Sequence, residues 1–155
     1  MLRYIIARAD EFQRASKDKI GVNDLDAAKL TYARHRLVAF ATIEDFHFTL
    51  GILINLNWKK PDSLPSWRLF HFDSLNGTYL ANNKLNARKF GAFLAGIRVK
   101  DLPITEVPVP MQGPGSNTCG LFAAHFLRIF LDDIDKSIEF CTKVCFGYGL
   151  CHVGG

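Results

Sequence analysis

The chain has 155 residues, 48% of them apolar, which suits one domain with a real core and leaves little room for two. Its formal charge of +4 is mild, and the short clusters Lys59-Lys60, Arg88-Lys89 and Arg98 with Lys100 read as a solvated surface rather than a nucleic-acid stripe. The opening MLRYIIARADEF lacks the apolar core of a signal peptide and no run approaches a membrane span, so the four cysteines are expected to be reduced thiols of the nucleus or cytoplasm.

In chain order, Leu2, Ile5, Ile6 and Phe12 predict an amphipathic N-terminal helix. A second helix is expected from the cap candidates Asn23 or Asp24 to about Arg34. The texture then changes. RLVAFATI (36–43), FHFTLGILINL (46–56) and WRLFHFDS (67–74) are rich in β-branched and aromatic residues and read as strands, with a turn-rich link between the last two. Residues 80–95 return to helical spacing, with Leu85, Phe90, Phe93 and Leu94 on or near one face. TEVPVPM (105–111) reads as a short strand whose prolines suggest a sheet edge. One long helix is predicted from Cys119 to about Phe140. In its first half Leu121, Phe122, Phe126, Ile129 and Phe130 cover most of the circumference, leaving His125, Arg128 and Asp132 as a narrow polar stripe. A helix so apolar is expected to be central and buried. Helices, a small sheet, then helices argue an α+β fold.

The chemistry gathers at QGPGSNTCGLFAAHF (112–126), where turn formers give way to an apolar helix at Cys119. The unpaired amides and dipole of a helix start favour a thiolate. Gly120 lets a substrate approach the backbone. The plainer reading of Cys119 is a small side chain filling a gap. A cysteine nucleophile needs a base, an orienting group for it and donors for the oxyanion. His125 lies six residues along the same helix, about 240° around and about 9 Å up, out of ready reach. His35 has no acid at a useful spacing, and His152 sits in a glycine-rich tail. His47 alternates with Phe46, Phe48, Leu50 and Ile52 on its strand and so faces away from them. It is the first choice; His71, on one face with Asp73, is the second. Asp73 ends an apolar strand and reads equally as an imidazole partner or a turn-initiating aspartate. Gln112 offers a side-chain amide for an oxyanion, or is merely solvated.

Together these pieces resemble the ubiquitin-like-protein-specific cysteine proteases, the SUMO-protease group, with adenovirus protease as a distant relative. The resemblance is carried by FHFTLGIL, FHFDSLNG and VPVPMQGPGSNTCGLFAAHF in the order His, Asp, Gln, Cys, over residues 36–133. It implies a single catalytic domain across residues 1–155, of papain-like architecture with the chain order rearranged. There a small central mixed sheet packs against a buried helix that starts at the nucleophilic cysteine. By this resemblance Cys119 is the nucleophile, His47 the general base, Asp73 its orienter and Gln112 the oxyanion donor, with Phe48 and Gly120 at the substrate channel. The implied activity is cleavage after the Gly-Gly terminus of SUMO or another ubiquitin-like modifier, in precursor processing or release from lysine. A monomer is expected, with no cofactor, metal, nucleic acid or membrane as partner. The alternative is a catalytically inactive homologue that binds a ubiquitin-like protein.

The sequence also departs from that pattern. Phe48 stands where tryptophan is usual, no tryptophan precedes Trp58, the loop from Gln112 to Cys119 is one residue longer, and Thr118 stands where aspartate is common. A divergent or truncated member is implied. Cys141, Cys145, Cys151 and His152 offer four soft zinc ligands. The first pair sits three positions apart within a predicted helix, unlike a zinc knuckle, so ordinary thiols are expected.

Overall fold

A computed structural model describes residues 35–44, 46–60, 62–75, 81–113 and 115–147. Both predicted N-terminal helices, Cys151 and His152 lie outside these residues. Strands β1 (Leu37–Glu44), β2 (His47–Asn55), β3 (Trp67–Phe72) and β4 (Ile104–Val107) form one sheet in that order. Helices α1 (Ala81–Ala95), α2 (Cys119–Asp132) and α3 (Ile134–Gly147) complete a mixed α+β fold, with a 3-10 turn at Val99–Asp101.

Consecutive antiparallel strands β1, β2 and β3 make a meander. β4 instead pairs parallel to β3, which needs a long crossover, and α1 supplies it. β4 lies at one edge of the described sheet, and Pro108 follows its last residue, where no ladder bond is lost.

Both sheet faces are covered, which is why the middle of β2, Leu50 to Ile54, reads as an unbroken apolar run. On one face Leu50, Ile52, Phe70 and Phe72 meet Phe126 and Phe130 of α2 and Cys141 of α3. On the other, Val38, Phe40, Leu53 and Leu69 meet Ala87, Phe90 and Leu94 of α1. Gly51 pairs with Phe40 in the ladder. A Cβ at Gly51 would stand 2.4 Å from two carbons of the Phe40 ring, so only glycine lets that ring cross β2. Phe40 then meets Phe90 edge-on at 4.9 Å.

Three sequence expectations are corrected here. The predicted helix from Cys119 to Phe140 is two helices, because Asp133 leaves helical geometry at φ −149° and ψ 90°. Its carboxylate accepts from the Lys136 N–H at 3.1 Å, so Asp133 starts a new helix rather than continuing the old one. Second, α2 is buried along one stripe, not all round. Cys119, Phe126 and Phe130 are buried, Phe122 only partly, while Leu121 and Ile129 are 73% and 52% exposed. α2 packs on the sheet with that stripe and leaves its other side uncovered by the described residues. Ile129 and Phe140 line an apolar groove of about 480 Å³ between α2, α3 and residues 108–110. Third, Leu85 in α1 is exposed, and Phe90 and Leu94 carry its contact with the sheet.

Candidate active site

Cys119 is the first residue of α2 and is buried. Thr118 occupies the N-cap without capping through its side chain. Its hydroxyl is instead in a short contact with the Ser116 hydroxyl. The first amides of α2 are therefore free of side-chain capping by Thr118, a local concentration of donors. The Cys119 thiol donates to the Phe46 carbonyl at 3.8 Å, one residue before His47.

His47 opens β2 and is buried. Its Nε2 lies 2.7 Å from Asp73 Oδ1. That same oxygen accepts from the Leu75 N–H at 2.9 Å. Asp73 thus combines both readings of its sequence: it closes an Asx turn and holds the imidazole. A carboxylate only accepts, so Nε2 carries the hydrogen and Nδ1 keeps a lone pair. Nδ1 is buried and has no hydrogen-bond partner among the described residues.

Gln112 is buried against the end of β3. Its backbone N–H donates to the Ser74 carbonyl at 2.9 Å. The Ser74 hydroxyl donates to Oε1 at 2.8 Å, and Nε2 donates to the Ser116 carbonyl at 3.0 Å. A carbonyl acceptor at one end fixes which end of the amide is nitrogen, and leaves its second hydrogen for another acceptor. The loop between Gln112 and Cys119 turns back on itself at Gly113 and Ser116. The Ser116 N–H reaches the Gly113 carbonyl at 3.2 Å, and Gly115 takes φ +71°, the conformation a type II turn demands at its third position.

Phe48 is 39% exposed and faces Gly120, whose absent Cβ would sit 3.8 Å from the ring. Gly120 is itself exposed. The sequence placed Phe46 on the same apolar strand face. The strand instead starts at His47, and Phe46 sits in the turn before it with φ +62° and 94% exposure. That conformation costs a non-glycine residue about 1–2 kcal/mol. Ser74 and Phe46 are two of the site neighbours that sequence reasoning passed over. The signals were a serine directly after the strand-ending acid and a phenylalanine in a tight hairpin turn.

His71, the second choice for the base, is buried beneath α1. Its Nε2 meets Thr49 Oγ1 at 3.1 Å, and that hydroxyl meets Thr42 Oγ1 at 2.7 Å. Burial, only partly opposed by Asp73 and Glu106, lowers its pKa to about 4. It is neutral near pH 7 and a weak base. Its folded value lies below the unfolded 6.5, so the unfolded chain takes up the proton first as pH falls. The stability is complete above about pH 6.5 and declines toward pH 4, by about 3 kcal/mol in all. Denaturant titrations across that window should show the decline, and His71→Asn should flatten it.

None of His47, Asp73, Gln112 and Cys119 lines the apolar groove beside α3. Cys141 packs in the core. Among the described residues no group of three His, Cys, Asp or Glu could hold a metal ion, and no helix is long and apolar enough to cross a membrane.

No protein-family model matches the chain, and no curated protein matches it in sequence. Solved structures do. A de-sumoylating protease superposes with a TM-score of 0.55 at 20% identity, over 70% of this chain and 42% of that one. Xanthomonas XopD gives a TM-score of 0.44 at 17% identity, over 66% of this chain and 52% of that one. The chain spans about half or less of the length of each. The first likeness establishes a fold shared with the de-sumoylating protease.

Proposed function

We propose that the chain is a thiol protease or isopeptidase that cleaves after the Gly-Gly terminus of SUMO or another ubiquitin-like modifier. The observation that carries this reading is the His47–Asp73 pair, whose unpartnered Nδ1 belongs to the residue next to the carbonyl touched by the Cys119 thiol. The fold shared with a de-sumoylating protease supports the choice of substrate.

In this mechanism Nδ1 of His47 takes the thiol proton, and the sulfur attacks the glycine carbonyl carbon. The oxyanion is held by the first amides of α2 and the free hydrogen of the Gln112 amide. Asp73 stabilises the imidazolium through Nε2. His47 then returns the proton to the departing nitrogen, the C–N bond breaks and a thioester remains. Water, deprotonated by His47, hydrolyses it and frees the modifier's carboxylate. Such a thiol works in a reducing compartment, here nucleus or cytoplasm.

The test is a panel of ubiquitin-like modifiers, each carrying an electrophile at its C-terminus. A SUMO-type probe should add its mass to Cys119 and fail to label Cys119→Ser, while the variant still binds the modifier. Binding without an adduct would favour an inactive homologue that only recognises the modifier. Neither binding nor adduct with any modifier overturns the reading.

A further inference from the structure

We propose that Phe46 determines specificity for the leaving group, its ring packing on the aliphatic stem of the lysine whose nitrogen departs. The inference rests on the cysteine-protease reading above and extends it to the far side of the bond that is cut.

Phe46 is costly to the folded chain on two counts. Its φ of +62° is one that glycine adopts freely. Its ring, at 94% exposure, has almost no contact with the described residues. Glycine would form this hairpin turn with less strain and expose no aromatic surface. A residue that violates both local preferences beside a candidate site points to something the ring meets outside the chain.

Its place says which part of a substrate that is. The residue that protonates the leaving nitrogen must stand on the amine side of the scissile bond. That residue is His47, and Phe46 precedes it directly. The carbonyl of Phe46 touches the Cys119 sulfur, which fixes the turn against the reacting atoms. The other flanking aromatic, Phe48, faces Gly120 on the nucleophile's helix and so belongs with the acyl half. The two rings thereby divide the substrate: Phe48 toward the modifier's glycines, Phe46 toward the amine. A lysine suits the second position. Its methylenes cover an aromatic face, and the ammonium it becomes after release is attracted to the same ring.

The experiment separates the two halves. Cleavage of a modifier joined through an isopeptide bond to a lysine-containing peptide reports both halves. Labelling of Cys119 by the modifier's electrophilic probe, which carries no lysine, reports the acyl half alone. Phe46→Ala should lower kcat/KM for the isopeptide about tenfold or more, the scale of one buried apolar contact. It should change the labelling rate by less than about twofold. Phe46→Tyr should restore cleavage. Phe46→Gly should match Phe46→Ala in kinetics while raising Tm, which rules out a folding defect as the cause. An equal fall in labelling, or an unchanged isopeptide rate, overturns the role of Phe46 and leaves the protease reading standing. A wild-type chain that neither labels nor cleaves overturns both.

Discussion

Asp73→Ala should lower kcat/KM for a modifier substrate by about 10²–10⁴-fold, the range that general-base catalysis supplies. Asp73→Asn should cost far less. The reason lies in one oxygen. Oδ1 accepts from both the Leu75 N–H and His47 Nε2. A fixed backbone donor admits only an acceptor, so the asparagine carbonyl should settle at the Oδ1 position and its NH₂ should point away. The imidazole would keep its hydrogen on Nε2 and its lone pair on Nδ1. Only the countercharge for the imidazolium would be lost. Alanine removes the countercharge, the orientation and the turn together. Steady-state kinetics on both variants decide the matter. Equal losses would show that charge, not orientation, is what Asp73 contributes.

Gln112→Ala should lower kcat by about 10²–10³-fold with little change in KM, because the oxyanion it would serve in the proposed mechanism exists only along the reaction path. The same change should destabilise the fold by about 1–3 kcal/mol, since the Ser74 hydroxyl, 2% exposed with its residue, loses its acceptor. Gln112→Glu tells the two effects apart. Its carboxylate can still accept from Ser74, but it cannot donate, and it places negative charge where the oxyanion must form. Activity should fall at least as far as in Gln112→Ala. If kcat in Gln112→Ala stays at the wild-type level, the amide serves only to bind Ser74 and Ser116 within its loop.

The strands were legible because packing on both faces leaves a plain mark: β2 is buried at eight of its nine positions, and its middle, Leu50 to Ile54, carries no polar side chain. The phase of His47 was legible for the same reason, since a polar residue in such a run has few places to point. Ser74 was not legible as the partner of Gln112. They lie 38 positions apart, and only the pairing of β3 with β4 brings them together. The break at Asp133 was hidden because the apolar stripe runs on across it, from Phe126 and Phe130 to Ile134 and Ile138. Periodicity reports which face meets the core, not whether the backbone stays helical. Leu121 and Ile129 failed differently. An apolar side chain announces a preference for burial, but the described sheet covers only one side of α2.

The connectivity of the sheet also sets a timetable for biosynthesis. His47 and Asp73 meet through strands that follow one another without interruption, 26 residues apart. The thiol is encoded 46 residues after Asp73 (119 − 73). At translation rates of about 5–20 residues per second, the ribosome adds it roughly 2–9 s later. A nascent chain can therefore hold the histidine–aspartate pair while it still has no sulfur to activate. On the proposed reading, the last component supplied is the nucleophile. On that reading, the emergence of α2 from the ribosome is what completes the site.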